Sequence, residues 1–210
     1  MTGGNPRIAL ISATPAAIGP AVAGLADEFP GAEPWNLLDD TLLTDAHAHG
    51  GLTPALAGRM RRLIGYAAGG GARGVLLTCS LYGPVAEDAH EARDAGVPVL
   101  APDAAVFREA LAGGHRRILV LASFEAALRD SLARFRAAAR AADVRVEAVG
   151  AVAPPGVRPP DDGADAVLLA QFSLAPHARE LSAGLGLPVH SGPHAAARAL
   201  KKLVGEGISA

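Results

Sequence analysis

Half of the 210 residues are apolar, so the chain can form a sizeable hydrophobic core in one domain or in two small lobes. Nineteen basic and 21 acidic residues give a formal net charge of -2, which argues against a nucleic-acid surface and favours a small-molecule partner. The single cysteine cannot form an internal disulfide, and no metal site is expected because no Cys/His spacing typical of zinc occurs. No apolar run is long enough for a membrane span or a signal peptide, so we expect a cytoplasmic protein.

The first half of the chain predicts alternating strands and helices. A strand is expected over residues 8–12, a helix over 20–29, a strand over 33–38, and then a polar loop that contains His47 and His49. Thr53 and Pro54 have the order of an N-cap and a first helical residue, and the helix that follows is expected to stop at the glycines 69–71. A buried strand from Gly74, a helix to about residue 95, a strand over 98–101 and a helix over 103–113 complete this half.

The second half predicts the same alternation. It begins with a strand over 117–122 and a helix over 125–142 that Ser123 is expected to cap, followed by a strand over 145–149. Residues 154–163 are rich in proline and aspartate and are expected to form an exposed loop. A strand over 166–170, a helix over 174–183, a strand over 188–190 and a helix over 193–204 follow.

A short internal repeat links the two halves. Val75-Leu76-Leu77 matches Val167-Leu168-Leu169 at an offset of 92 residues, and at this offset Cys79 corresponds to Gln171. The segments Gly96-Val97-Pro98-Val99 and Gly186-Leu187-Pro188-Val189 also correspond. Alternating strands and helices predict parallel sheets with ligands beyond the carboxyl ends of the strands, where Cys79 and Gln171 are expected to lie.

Cys79 is the first candidate catalytic residue. It follows a predicted buried strand and precedes a predicted helix, whose dipole is expected to hold the pKa of the thiol below the free value of about 8.5. The alternative is a small buried hydrophobic residue. Neither the glycine pattern of a dinucleotide site nor that of a P-loop is present, so nucleotide binding has no support.

Other polar residues at predicted strand ends are candidate binding groups. Hydroxyls near strand ends can donate to a substrate carboxylate or can serve as helix caps. The amide of Gln171 can bind substrate or fix its own loop, and Asn36 and Asp40 can face the site or form a solvated turn. Tyr82 is a possible acid partner of Cys79, or a packed ring. His177, His190 and His194 lie near predicted strand ends without the spacing of a metal site.

The two strand-end motifs together resemble the aspartate/glutamate racemase superfamily over nearly the whole chain. The resemblance rests on Leu77-Thr78-Cys79-Ser80, on Leu169-Ala170-Gln171-Phe172-Ser173 and on the Pro-Val strand after each motif. It implies an α/β fold of two similar lobes, each a parallel sheet flanked by helices, with pseudo-two-fold duplication and the site in the cleft between them. In that family each lobe takes its last strand–helix segment from the other half. This implies one lobe of residues 1–97 plus 187–210 and a second of residues 98–186.

The resemblance also implies chemistry without a cofactor, on a carbon next to a carboxylate or carbonyl group. Racemases of the family place one thiol on each face of that carbon, whereas this chain has Cys79 in one half and Gln171 in the other. An amide has no usable acid/base pKa, so a two-thiol racemase is not expected. A one-thiol decarboxylase of the family has its thiol in the second half, which is the mirror of the arrangement here.

The sequence therefore predicts a cofactor-independent isomerase or lyase that acts on a small carboxylic acid, with Cys79 as acid/base or nucleophile. Decarboxylation, one-base isomerisation and covalent isomerisation of the maleate type remain open. The alternative is a small-carboxylate-binding or catalytically degenerate homologue that lacks the second cysteine. A homodimer is expected from the family, with no membrane or nucleic-acid partner. Substrate-binding roles are assigned to Ser12, Thr14, Asn36, Asp40, Ser80, Leu81, Ser123, Gln171, Phe172 and Ser173.

Overall fold

A computed structural model describes residues 4–92, 95–153 and 163–207, so most of the predicted loop 154–163 lies outside the described residues. Within these ranges the chain forms eight strands and eight α-helices. The strands are β1 (Arg7–Ser12), β2 (Glu33–Leu38), β3 (Gly74–Leu77), β4 (Val99–Leu100), β5 (Arg117–Ala122), β6 (Glu147–Val152), β7 (Ala166–Leu169) and β8 (Val189–His190). The helices are α1 (Ile18–Glu28), α2 (Leu42–Ala48), α3 (Pro54–Gly69), α4 (Gly83–Ala92), α5 (Ala104–Ala112), α6 (Glu125–Ala141), α7 (Ala178–Leu185) and α8 (Gly192–Gly207).

The strands form two parallel sheets with the same topology. The first has the order β2-β1-β3-β4 and the second the order β6-β5-β7-β8. The registers also correspond, because Arg7 pairs with Glu33 in the first sheet and Arg117 pairs with Glu147 in the second. The predicted α/β class and internal duplication are therefore confirmed.

Helices cover both faces of each sheet, as the continuous apolar runs of the central strands require. One face of the first sheet packs on α2, α3 and α4, and its other face on α1 and α8. The second sheet packs on α5 and α6 at one face and on α7 at the other. Each sheet is thus covered in part by a helix from the other half of the chain, since α5 packs on the second sheet and α8 on the first.

The sheet pairings bear on how the chain divides into lobes. Strand β4 pairs with β3, and β8 pairs with β7, so each of these strands belongs to the sheet of its own half. The predicted lobes are residues 1–97 plus 187–210 and residues 98–186. This division instead groups β4 with α5 in the second lobe and β8 with α8 in the first. The division into lobes stays a prediction, and boundaries placed after β4 and after β8 would follow the pairing.

Helix α8 packs closely on α1 through a glycine. A Cβ atom at Gly24 would lie only 2.7 Å from the carbonyl carbon of Pro193. A side chain at this position would separate the two helices, because real Cβ atoms do not approach backbone this closely. Gly24 therefore permits the contact that anchors the last helix on the first sheet.

Residues 42–48 form helix α2, where the sequence predicted a polar loop with His47 and His49, so that prediction was wrong. Leu42 and Ala46 lie one helical turn apart and are fully buried, so packing holds this seven-residue helix rather than intrinsic propensity.

The boundaries of α7 and β6 also differ from the predicted ones. Helix α7 begins at Ala178 and not at residue 174, because Pro176 lacks an N–H donor and the segment Phe172–His177 forms a 3₁₀ helix instead. Strand β6 begins at Glu147 and extends to Val152, beyond the predicted 145–149.

The predicted boundaries of α3 are confirmed by its capping contacts. The Thr53 hydroxyl accepts a hydrogen bond from the Leu56 backbone N–H at 3.3 Å, with Pro54 as the first helical residue. The helix ends in the glycine run, and Gly71 has a φ of +86° that favours glycine. None of the helices in the described ranges is both long and apolar enough to cross a bilayer.

Candidate active site

Strands β3 and β7 bring the two corresponding motifs to one cavity, which we call the inner cavity. Cys79 follows the end of β3 by two residues, and Gln171 follows the end of β7 by two residues. The cavity has a volume of about 70 Å³, room for several water molecules or one small acid, since a water needs roughly 10–15 Å³. Its lining combines both halves of the chain: Thr14, Ala17, Thr78, Cys79, Ser80, Pro102, Asp103, Val106, Phe107, Leu169, Ala170, Gln171, Phe172, Ser173 and Gly192.

A second, larger cavity adjoins the thiol, and we call it the outer cavity. It has a volume of about 510 Å³ and shares Cys79 and Ser80 with the inner cavity. Much of its wall is apolar, with Leu43, Leu81 and Phe124 among its residues. The thiol therefore lies between a small cavity and a larger one that can hold an apolar substituent.

Cys79 is partly buried, and burial favours the protonated form of its thiol. Burial raises the pKa of Cys79 above its ordinary value, and the charge of Asp130 adds to the effect. The backbone N–H groups of Leu81 and Tyr82 and the charge of Arg134 act in the opposite direction without overcoming burial. The expectation of a lowered pKa was therefore wrong. The helix start supplies donors to the sulfur, but desolvation of the thiolate outweighs them.

Gln171 is fixed by the second half of the chain. Its side-chain oxygen accepts hydrogen bonds from the Ser123 backbone N–H at 2.8 Å and from the Ser123 hydroxyl at 2.9 Å. The backbone N–H can only donate, so the oxygen of the amide must face Ser123 and the NH₂ group must point elsewhere. That NH₂ group makes no hydrogen bond within the described part of the chain. Gln171 therefore offers a fixed donor, and not an acid or base, at the inner cavity.

Three of the predicted hydroxyl donors line the inner cavity with Cys79 and Gln171. They are Thr14, which follows β1, and Ser80 and Ser173, which follow the two central residues of the site. Phe172 is buried and also contributes to the wall. The structure thus brings six of the eleven predicted site residues together.

The first residue of α8 completes the wall of the inner cavity. A Cβ atom at Gly192 would lie 2.7 Å from the Phe172 ring, so glycine allows the helix start to approach the cavity. The N-terminal end of this 16-residue helix carries partial positive charge, which favours a carboxylate nearby.

The other five predicted site residues lie elsewhere. Ser12 is fully buried and accepts a hydrogen bond from the Thr78 hydroxyl at 2.9 Å. Asn36 and Asp40 are exposed and line neither cavity. Leu81 lines the outer cavity only, and Ser123 acts through Gln171 rather than capping α6.

Tyr82 is not placed to exchange protons with a ligand. Its ring is fully buried, and its hydroxyl donates to the Leu42 carbonyl at 2.9 Å. Burial, followed by the charge of Cys79, raises the pKa of Tyr82 to about 12. The buried Tyr82 side chain therefore stabilises the packing of α2 through its hydrogen bond to Leu42.

The three histidines considered from the sequence also line neither cavity. His177 lies 3.9 Å from Glu180, and His194 lies 3.1 Å from Asp27. The Nε2 atom of His190 lies 3.1 Å from that of His115. Within the residues that the structure describes, no group of three or more His, Cys, Asp or Glu side chains is arranged to hold a metal ion.

Sequence reasoning missed an ion pair next to the site. Asp103 is the one charged residue among the described residues that line the inner cavity, and it pairs with Arg134 of α6. The sequence around Asp103 predicts only a helix start, and Arg134 is one of four arginines in α6. No sequence signal joins two residues whose contact depends on the tertiary structure.

Comparison with solved structures identifies proteins that share the fold of this chain. No protein-family model and no curated protein sequence matches the chain. Among solved structures, allantoin racemase from Klebsiella pneumoniae aligns with a TM-score of 0.66 and 18% identity, over 96% of this chain and 89% of that one. Unliganded arylmalonate decarboxylase aligns with a TM-score of 0.65 and 20% identity, over 95% and 93%. Maleate isomerase from Pseudomonas putida S16 aligns with a TM-score of 0.64 and 14% identity, over 96% and 92%.

These similarities cover nearly the entire chain, and they agree with the two parallel sheets and their duplicated topology. The neighbours are racemases, isomerases and decarboxylases, and their sequence identities to this chain are low, so they establish the architecture rather than an individual activity. The chain has the fold of the aspartate/glutamate racemase superfamily.

Proposed function

We propose that the protein is a cofactor-independent isomerase or lyase that acts on a carbon next to a carboxylate or carbonyl group of a small acid, with Cys79 as its proton donor. The observation that carries the proposal is the pairing of one thiol with one fixed amide donor in the inner cavity. Cys79 comes from the first half of the chain and Gln171 from the second.

Neutral groups bind the acid in this proposal. The inner cavity is lined by Asp103 but by no cationic side chain among the described residues. A carboxylate is therefore held by the Gln171 NH₂ group, by the hydroxyls of Thr14, Ser80 and Ser173, and by the start of α8. The adjoining outer cavity accommodates an apolar substituent on the reacting carbon.

The raised pKa of Cys79 supports one of the reactions that the sequence left open. Covalent attack needs a thiolate, whereas burial favours the thiol. Loss of CO₂ from a substrate with two carboxylates on one carbon would leave an enolate, which the Gln171 NH₂ group stabilises. Cys79 then transfers its proton to the carbanion carbon, which gives the acid product. Decarboxylation followed by protonation is thus the reaction that this site supports best, and arylmalonate decarboxylase is among the structural neighbours.

The experiment is a screen of substituted malonates and related small acids, with product formation followed by NMR. Cys79→Ala is expected to abolish turnover. Among the described residues that line the inner cavity, the other acidic group is Asp103, which is paired with Arg134. Ser131→Ala is a matched control that removes a buried small polar side chain from α6 outside both cavities. Full turnover by Cys79→Ala would contradict the proposal.

A second candidate function is a small-carboxylate-binding or catalytically degenerate homologue. It is favoured by Gln171, which stands where a two-thiol enzyme needs its second acid/base group. Calorimetry separates the two, because this alternative predicts saturable binding of a small acid without turnover in wild type. A homodimer, a cytoplasmic location and the lack of a nucleic-acid partner stay predictions.

A further inference from the structure

An ion-pair network connects the two cavities that Cys79 adjoins. Nη1 of Arg134 pairs with Oδ2 of Asp103, which lines the inner cavity. Nε of Arg134 also donates to Oδ2 of Asp130 at 3.0 Å, and Asp130 lines the outer cavity. The guanidinium therefore joins one carboxylate of each cavity.

The guanidinium is fixed in position, and one of its donors is unused. Its Nη1 atom lies 3.7 Å from the point that a Cβ atom would occupy at Gly83, the residue that follows the turn Ser80–Tyr82. Its Cζ atom lies 5.8 Å from the centre of the Phe107 ring. The Nη2 atom is buried and has no hydrogen-bond partner among the described residues. A buried donor without an acceptor is unfavourable, so a group that appears during function is expected to use it.

We propose that Arg134 is a positioning residue that stabilises the thiolate of Cys79, with Asp103 and Asp130 holding its guanidinium in place. The inference rests on the proposed function, because the thiolate forms when Cys79 donates its proton. In that step the S–H bond breaks and its electron pair stays on sulfur, while the electron pair of the substrate carbanion forms the new C–H bond. Water later returns a proton to the sulfur.

The surrounding charges predict the direction in which each substitution should shift the pKa of Cys79. The attraction between Arg134 and the thiolate lowers the pKa of Cys79, while the nearby Asp130 raises it. Burial lowers the pKa of Arg134, and the charges of Glu87 and Cys79 oppose that shift. Neutralising Arg134 and neutralising Asp130 should therefore change the reactivity of the thiol in opposite directions. The charged or titratable groups around Cys79 and Arg134 are Asp103, Asp130, Glu87, Tyr82 and His47.

The test is the rate of Cys79 alkylation by iodoacetamide as a function of pH, which needs no substrate. Arg134→Gln is expected to raise the midpoint of the reactivity curve by about one pH unit, so that alkylation below the midpoint slows about tenfold. Arg134→Lys should stay near wild type, and Asp130→Asn should lower the midpoint. Arg129→Gln is the matched control, because it removes the same charge from an exposed position on the same helix.

Arg134→Gln leaves Asp103 buried without its partner, which can prevent folding. The double variant Asp103→Asn/Arg134→Gln removes both charges and keeps the test available. A wild-type midpoint in folded Arg134→Gln would overturn the proposal, as would equal midpoints in the double variant and in Asp103→Asn, or an upward shift in Asp130→Asn. Failure of the proposed function has a different signature, because it appears as full turnover by Cys79→Ala, or as no turnover by wild type, whatever the midpoint.

Discussion

The protonation state of Cys79 gives a prediction that needs only the purified protein. A free thiol with a pKa of about 8.5 is roughly 3% ionised at pH 7, and burial raises the pKa of Cys79 above its ordinary value. Because only the thiolate reacts with alkylating reagents, labelling at pH 7 should proceed at no more than about a thirtieth of its plateau rate. The rate should rise about tenfold per pH unit through pH 8.

The chain has one cysteine, so mass spectrometry reports labelling of Cys79 without ambiguity. The matched control is the same protein unfolded in urea, where the thiol has its free pKa. The folded protein should show the higher midpoint, and comparing midpoints rather than rates removes the effect of restricted access. A midpoint below that of the unfolded chain, with a plateau near neutral pH, would refute the claim that burial dominates.

Two further predictions concern stability. Tyr82→Phe removes the buried hydrogen bond to Leu42 and should lower the free energy of unfolding by about 1 kcal/mol with catalysis retained. Since the pKa of Tyr82 is raised to about 12, wild type should also lose up to about 2–3 kcal/mol as pH rises from about 10 to 12, and the variant should lack this loss. Gly24→Ala pushes against Pro193 and should cost about 1–3 kcal/mol in urea unfolding, whereas Gly19→Ala, in open space on the same helix, should not destabilise. Equal effects of the two alanines would contradict the helix contact.

Much of the fold follows from local sequence patterns. The apolar runs at 8–11, 75–77, 118–122 and 166–169 are long enough to identify the central strands, and their repetition predicts the duplication. Helix α2 could not be predicted in this way, because its polar residues resemble a loop and only tertiary packing of Leu42 and Ala46 stabilises it. The assignment of β4 and β8 depends on strand pairing, which local patterns do not report.

The candidate site was predictable where it depends on strand ends. Cys79 and Gln171 follow equivalent strands, so the repeat predicts that each lies at the carboxyl end of its own sheet. Their meeting in one cavity depends on the packing of the two halves. The protonation state of Cys79 depends on the balance between burial and backbone donors, which has no sequence signature. Asp103 and Arg134 meet through the packing of α6 beside the site, so neither was identified from its local context.

The stereochemistry of protonation tests the central claim most directly. An acid found in the screen, with two identical carboxylates on the reacting carbon, is converted in deuterated water, and the product is resolved by chiral chromatography. Because Cys79 faces the carbon from one side and Gln171 cannot return a proton, wild type should give one enantiomer carrying one deuterium, and Gln171→Cys should add some of the other enantiomer. A racemic product from wild type would contradict the proposal and would indicate a second proton donor, with Asp103 as the first residue to test.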